Sequence, residues 1–262
     1  MIELNKIYNE DCLEGMKRIP GGSVDMILAD PPYNISVENN LKTMGRSGID
    51  FGDWDKQFDL IGWIKIACRS LKKGGTIIIF NDWKNLGDIS KELEKNNIVV
   101  KDMIRWEKTN PMPRNRDRRY ICDFEVAVVG VKKSGAWTFN RKNETYDRGK
   151  MIYPIVSGKE KTIHSTQKPI ALFNELILRH SNENEVVLDP FIGSGTTAVS
   201  SMSTHRNFIG FELNKEYFEI AQNRIKKARN ENVTKYIEKV TGKNIDVVLA
   251  ENAALEEAEG DL

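Results

Sequence analysis

The chain has 262 residues, enough for one large α/β domain or one domain carrying an insertion. Hydrophobic residues make up 40% and charged residues 29%, no apolar run reaches the roughly 18 residues that span a bilayer, and the polar start from Met1 to Cys12 lacks a secretory core, so a cytosolic globular protein is expected. The net charge of +1 conceals a basic middle, Lys101 to Lys161 with 15 Lys/Arg against 8 Asp/Glu, and an acidic end, Glu231 to Leu262 with 3 Lys against 8 Asp/Glu; the middle suits either a polyanionic partner or a solvated face.

In chain order, the apolar run Ser23 to Ala29 predicts a buried strand ending at Asp30. The polar, Gly-containing stretch from Asn34 to Asp55 predicts a mobile loop. A helix follows over Leu60 to Leu71, then a turn and strand over Gly74 to Phe80, a helix over Lys84 to Lys95 and a strand over Ile98 to Trp106. Thr109 to Gln167 shows one strand, Phe124 to Val131, no helical periodicity and many Arg, Lys and Asn; irregular stretches of this length are usually functional. Beyond it lie a helix over Ile170 to His180, a strand over Glu185 to Leu188, a helix over Thr196 to Ser203, a strand over Asn207 to Phe211 and a helix over Lys215 to Ala228. This alternation predicts a doubly wound, mostly parallel α/β sheet covered on both faces. The acidic tail from Ala250 to Leu262 reads as a frayed helix or a disordered segment.

Asp30-Pro31-Pro32-Tyr33 closes the first strand. Two prolines fix the backbone, which leaves the Asp30 carboxylate and the Pro31 carbonyl as aligned acceptors for one NH2 group. The lone pair of an exocyclic base amine is delocalised into its ring. Two acceptors on its N–H bonds favour a pyramidal nitrogen and stabilise the positive charge that develops as it attacks an electrophile. Tyr33 offers an aromatic face to an extruded base. A plain strand-terminating turn is the alternative for the tetrapeptide alone.

Asp189-Pro-Phe-Ile-Gly-Ser-Gly-Thr196 follows a strand and opens a helix. Gly193 and Gly195 permit close backbone approach by a ligand, and Thr196 is placed to cap the helix. One strand later, Glu212 is placed to accept hydrogen bonds from ribose hydroxyls. The third glycine of the dinucleotide fingerprint is missing, as is the Gly-Lys-Ser/Thr of a P-loop. An acidic residue at the loop suits a cationic ligand, such as the sulfonium and ammonium of S-adenosylmethionine. Cys12, Cys68 and Cys122 have no paired spacing, so neither a disulfide framework nor a metal site is expected.

Together these motifs resemble those of the DNA amino-methyltransferases. The order of catalytic loop, basic segment and cofactor loop is the permuted β-class order, and Phe51-Gly-Asp-Trp-Asp55, Asn110-Pro-Met-Pro-Arg-Asn115 and His164-Ser-Thr-Gln-Lys-Pro169 look like the MboII modification-methylase subtype. The resemblance covers roughly residues 5 to 228. It implies a Rossmann-like methyltransferase that uses S-adenosylmethionine and double-stranded DNA, flips its target base and acts site-specifically. Asp before Pro-Pro-Tyr resembles the N6-adenine enzymes more than the N4-cytosine ones, and the Pro-Cys of C5-cytosine enzymes is absent.

By the same resemblance Asp30, Pro31, Pro32 and Tyr33 are catalytic. Asp11, Cys12, His164, Lys168, Asp189, Phe191, Gly193, Ser194, Gly195, Thr196 and Glu212 are candidate cofactor contacts. Arg114, Arg116, Arg118 and Arg119 are candidate DNA contacts. Residues 1–230 would form the catalytic domain, with 109–162 as target-recognition segment and 231–262 as an acidic extension. Blander readings remain beside these: Lys168 as a solvated lysine, His164 as a satisfied loop histidine, Cys12 as a small buried hydrophobe, the arginines as a solvated loop. A restriction endonuclease as functional partner and a homodimer also stay open. A nucleotide-dependent oxidoreductase would use the glycine loop but leave Asp-Pro-Pro-Tyr without a role, and a catalytically silent DNA-binding module would use neither.

Overall fold

The computed structural model describes residues 2–33, 58–113, 116–118 and 120–258, the side chains of 256–258 excepted. The segment expected as a loop over Asn34 to Asp55 lies outside the described residues, as do Arg114, Asn115 and Arg119.

The strands are β1 (Lys6–Tyr8), β2 (Val24–Ala29), β3 (Leu71–Asn81), β4 (Ile98–Lys108), β5 (Phe124–Lys132), β6 (Lys150–Tyr153), β7 (Val186–Asp189) and β8 (Asn207–Phe211). The helices are α1 (Cys12–Lys17), α2 (Ile64–Ser70), α3 (Leu86–Lys95), α4 (Ile170–His180), α5 (Thr196–Ser203), α6 (Lys215–Asn230), α7 (Val233–Thr241) and α8 (Ile245–Ala258). The strands form one sheet in the order β1-β8-β7-β2-β3-β5-β4-β6. Strand β5 runs antiparallel to both its neighbours, and every other pairing is parallel.

Alternate residues of the central strands bury opposite ways. Ile27, Ala29, Ile77, Ile79, Leu188 and Ile209 pack with Ile64 and Ala67 of α2 and Ile89 and Leu93 of α3. Met26, Leu28, Ile78, Phe80 and Val187 pack with Leu172, Phe173, Leu176 and Ile177 of α4, while Phe208 packs with Ala198 of α5 and Ala221 and Ile225 of α6. Burial on both faces is why these strands read as continuous apolar runs. Each fully buried Ile or Leu contributes about 1.5–3 kcal/mol.

The chain advances from β2 to β3 on one side of the sheet and from β7 to β8 on the other, so its direction of growth reverses between the neighbours β2 and β7. In an open α/β sheet such a reversal leaves a crevice beyond the carboxyl ends of the strands. Asp30 follows β2 there, Asp189 ends β7, Glu212 follows β8 and Asn81 ends β3.

Several element boundaries differ from the sequence reading. The helix expected over Leu60 to Leu71 forms only over Ile64–Ser70. Its first residues are held in a turn, where the Asp59 carboxylate accepts from the amides of Ile61 and Gly62 at 3.3 and 3.0 Å. Leu71 already belongs to β3, which runs through Gly74 at φ +81°. Strands β1 and β6, of three and four residues, gave no signal of their own.

Of the expected tail, the described part up to Ala258 belongs to helix α8, and that helix is docked on the sheet. Asn252 of α8 is 2% exposed. Its Oδ1 accepts from the Ile152 amide of β6 at 3.2 Å and its Nδ2 donates to Glu175 of α4 at 3.0 Å. Glu175 also accepts from Tyr153 and, at 2.7 Å, from Arg179, whose other guanidinium nitrogen pairs with Asp147 at 3.0 Å. Among the described residues no helix is long and apolar enough to cross a membrane.

Asn252→Ala would strip the Ile152 amide and a Glu175 oxygen of a buried partner. We expect it to lower unfolding stability by about 1–3 kcal/mol, read from the urea midpoint. An unchanged midpoint would mean that α8 does not contribute to the folded core.

Candidate active site

On one side of the crevice stands the glycine loop. Burial at 3% exposure pushes the Asp189 carboxyl up to about 7, against the hydrogen bonds it accepts from the Thr197 hydroxyl and, at 2.9 Å, from the Phe191 amide. Gly193 and Gly195 both lie in the left-handed region, at φ +50° and +84°. Their surroundings separate their roles. A Cβ on Gly193 would meet His164 Nε2 at 2.8 Å, at the cavity wall, whereas one on Gly195 would meet Ala221 of α6 at 3.0 Å, behind the loop.

Glu212 braces the same loop. One carboxylate oxygen accepts from the Gly193 amide at 2.9 Å and the other from the Asn214 amide at 2.8 Å, while burial raises its pKa. Arg224 of α6, 5% exposed, holds the loop from below by donating to the Ser194 carbonyl at 2.7 Å and hydroxyl at 3.0 Å. Thr196 does not cap α5, because it is already the helix's first residue; Gly195 is the cap position. The Thr196 hydroxyl instead donates to the Lys168 carbonyl at 3.2 Å.

The walls bear the remaining cofactor-side residues. Asp11 caps α1 by accepting from the Leu13 amide at 2.6 Å. Cys12 lines the cavity, and burial pushes its thiol up to about 12, so it stays protonated at neutral pH. Phe191 is wedged against Trp63 and Phe58, with ring centroids 5.0 and 5.5 Å apart. His164 leans on the Tyr217 ring at 4.4 Å. Burial, followed by the nearby Lys168, lowers its pKa to about 4, so the ring is neutral. Its buried Nδ1 has no hydrogen-bond partner among the described residues.

Opposite the loop stands Asp-Pro-Pro-Tyr. Asp30 Oδ1 accepts from the Tyr33 hydroxyl at 2.7 Å and Oδ2 from Lys168 Nζ at 2.5 Å. Burial raises the Asp30 pKa, and the Lys168 cation is the main influence in the other direction. Lys168 is 5% exposed, so it is not a solvated lysine. Its ammonium also lies 3.2 Å from Glu125 of β5 and over the rings of Tyr33 and Phe80 at 5.6 and 5.5 Å. Lys108 of β4 completes the group, 2.9 Å from the other Glu125 oxygen.

Asp11, Cys12, the four residues Asp30 to Tyr33, His164, Lys168, Asp189, Phe191, Gly193, Ser194, Thr196 and Glu212 all line one cavity of about 1010 Å³; Gly195 does not. Exposed Trp83, Tyr120 and Ile121 also border it. Arg116 and Arg118 lie outside this lining, on the exposed segment that precedes Tyr120. Sequence reasoning missed Glu125, Lys108 and Arg224. A lone acid inside the apolar run after Phe124 was the available signal for Glu125.

A doubly wound sheet that opens a glycine loop and an Asp-Pro-Pro-Tyr loop into one chamber defines an α/β transferase-like enzyme with an adenosine-type cofactor. Residues 24–223 match the model of the N6/N4 DNA methylase family, and the chain belongs to that family. It is 34% identical to the Type II methyltransferase M.HinfI of Haemophilus influenzae over 250 residues, covering 86% of this chain and 69% of that one. It is 32% identical to the Type II methyltransferase M2.MboI of Moraxella bovis, over 83% and 86% of the two chains. The crystal structure of M1.HpyAVI in complex with S-adenosylmethionine superposes with a TM-score of 0.69 at 40% identity, covering 84% of this chain and 98% of that one. The cytosine-N4-specific PvuII DNA methyltransferase shares the fold at a TM-score of 0.67 and 15% identity, over 89% and 94% of the chains.

S-adenosylmethionine is the methyl donor of this family. The residues present fit it: the buried Asp189 and the part-buried Glu212 line the cavity as acids suited to a cationic nucleoside, Gly193 stands in the cavity wall where a side chain would collide with His164, and the buried Nδ1 of His164 has no partner among the described residues.

Gly195→Ala would place a side chain at φ +84° and against Ala221. It should cost about 1–3 kcal/mol of stability, read from the chemical unfolding midpoint. An unaltered midpoint would show that the loop relaxes freely at this position.

Proposed function

We propose that this chain transfers a methyl group from S-adenosylmethionine to N6 of adenine within a short DNA sequence, after flipping the base out of the helix. The observation that carries this reading is the shared cavity of about 1010 Å³, which brings Asp30-Pro31-Pro32-Tyr33 within the same walls as the glycine loop and Glu212. Adenine is favoured over cytosine by Asp rather than Ser before Pro-Pro-Tyr. The motif order supports the permuted β-class, and the segments Phe51 to Asp55, Asn110 to Asn115 and His164 to Pro169 support the MboII subtype.

When bound, S-adenosylmethionine supplies an activated methyl on a sulfonium. Glu212 accepts from its ribose, and Asp189 and the glycine loop hold its cationic end. Asp11, Cys12, Phe191 and Thr196 shape the pocket, while His164 and Lys168 link the glycine loop to the catalytic side. The Asp30 carboxylate and the Pro31 carbonyl accept the two N–H bonds of the target amine. The Tyr33 hydroxyl holds Asp30 in place, and its ring supports the extruded base. Residues 109–162 act as the recognition segment within the catalytic domain, residues 1–230, and 231–262 are an acidic extension. Arg114, Arg116, Arg118 and Arg119 contact the DNA. A cytosolic location, a cognate restriction endonuclease as functional partner and a homodimer accord with this role.

Incubating plasmid DNA with the protein and the donor, then digesting to nucleosides, separates the outcomes by mass. N6-methyladenine is expected; N4-methylcytosine would reassign the base, and no methylated nucleoside would overturn the activity. In single-turnover assays Asp30→Ala should lose about 10²–10³ in rate. Asp30→Asn, which still accepts without charge, should fall between that variant and wild type. Cofactor affinity should move little in either, and wild-type turnover in Asp30→Ala would exclude the mechanism.

Asp189 yields a pH prediction. Its carboxyl, pushed up to about 7, must ionise to attract a cation. A cationic ligand therefore favours the deprotonated form, so affinity rises with pH to about 7 and levels off above it. Below that point calorimetry should find affinity falling by up to about tenfold per pH unit, and Asp189→Asn should remove the dependence. The same slope in both proteins would detach Asp189 from the cofactor.

A further inference from the structure

Lys168 presents a difficulty for the chemistry assigned to Asp30. The oxygen that would accept the target amine already holds an ammonium at 2.5 Å. A carboxylate neutralised by a lysine offers little to a second, developing cation. Around Asp30 the charged groups are Lys168 from the start of α4, Glu125 from β5, Lys108 from β4 and Asp189 from β7, with the Tyr33 hydroxyl as the neutral donor.

Glu125 resolves the difficulty by its position. Its Oε2 lies 3.2 Å from the same Lys168 ammonium and 3.5 Å from the same Tyr33 hydroxyl that serve Asp30. Both donors of Asp30 thus have a second acceptor within reach, one side chain away. Lys108 pins the other Glu125 oxygen at 2.9 Å, which keeps this acceptor ionised and fixed. The pKa directions agree: Glu125 is lowered despite its burial, and Lys168 is raised. Asp30 and Glu125 together balance Lys108 and Lys168, with the Asp189 carboxyl as a further acid beyond the pairs.

We propose that Glu125 is a positioning residue for methyl transfer, drawing Lys168 off Asp30 when the base amine arrives so that the Asp30 anion faces the nitrogen as it becomes positive. Without the Glu125 charge, Lys108 loses the carboxylate it pairs with and Lys168 keeps only Asp30 within ion-pair distance among the described residues. A surplus positive charge then sits beside the nitrogen that must itself become cationic, and Lys168 has nowhere else to go. Glu125 touches neither base nor cofactor; it acts through Lys168. The inference rests on Asp30 accepting the amine.

The test is single-turnover methyl transfer on the mapped DNA target, with calorimetric cofactor affinity for every variant. Glu125→Gln should slow transfer by about tenfold to a hundredfold, the worth of one hydrogen bond to a charged group, at unchanged cofactor affinity. Glu125→Asp, which keeps the anion, should stay above Glu125→Gln. The decisive variant is Glu125→Gln with Lys168→Met: removing the uncompensated cation should restore part of the lost rate. A merely structural role would make the double variant slower than the single one, and that result overturns the proposal. So does wild-type transfer by Glu125→Gln. Should Lys168 serve the cofactor instead, the double variant would bind it more weakly, which also overturns the proposal. Asp30→Ala in the same assay separates the two layers. If it transfers like wild type, the reading of Asp30 falls; if it is inactive while Glu125→Gln is normal, only the present inference falls.

Discussion

The parallel pairing of β2 with β7 brings two acids to the carboxyl ends of neighbouring strands, Asp189 at the end of β7 and Asp30 just beyond β2, with Ile27 opposite Leu188 setting their stagger. Two carboxylates delivered so closely, and buried, repel each other, and Asp30 is among the influences raising the Asp189 pKa. The surrounding site divides the labour between them. Lys168 and Tyr33 keep Asp30 company, while Asp189 has, among the described residues, the Thr197 hydroxyl and a backbone amide as hydrogen-bond donors. One acid is therefore compensated by a fixed cation, and the other is held by neutral donors.

The elements that carry the compensation come from both halves of the chain. Lys168 stands at the joint, its side chain on the Asp30 carboxylate and its carbonyl holding Thr196 under the glycine loop. Movement on either side is felt by the other through one residue. Arg224 adds a second tether from α6, so the loop is held from two directions. Rigid first contacts supported by a second layer of hydrogen bonds are what transfer between two bound molecules requires.

Much of this was legible in the residues. The central strands announced themselves because both faces are covered, and the two motifs stood directly after two of them. What could not be read was whatever depends on a partner far along the chain. Glu125 looks like one charge in a strand until β5 is laid beside β3, antiparallel, with Asn81 opposite Val126. Arg224 looks like any helix-surface arginine until α6 is placed beneath the loop. Gly193 and Gly195 are indistinguishable in sequence, yet one backs onto the His164 ring at the cavity wall and the other onto a helix. Strands β1 and β6 are too short for a period to show, and α8 docks through Ile245, Val248 and Leu249 together with a buried asparagine that reads as polar in the sequence.

That asparagine has a consequence for how the protein is made. β6 is the last strand of the sheet, and an uncovered edge is a template for pairing with another chain. Here the side chain of Asn252 takes the Ile152 amide, across 100 positions of sequence. During translation β6 leaves the ribosome well before its cover does. For that interval every nascent copy exposes the same bare margin, and crowding on a polysome brings such margins together.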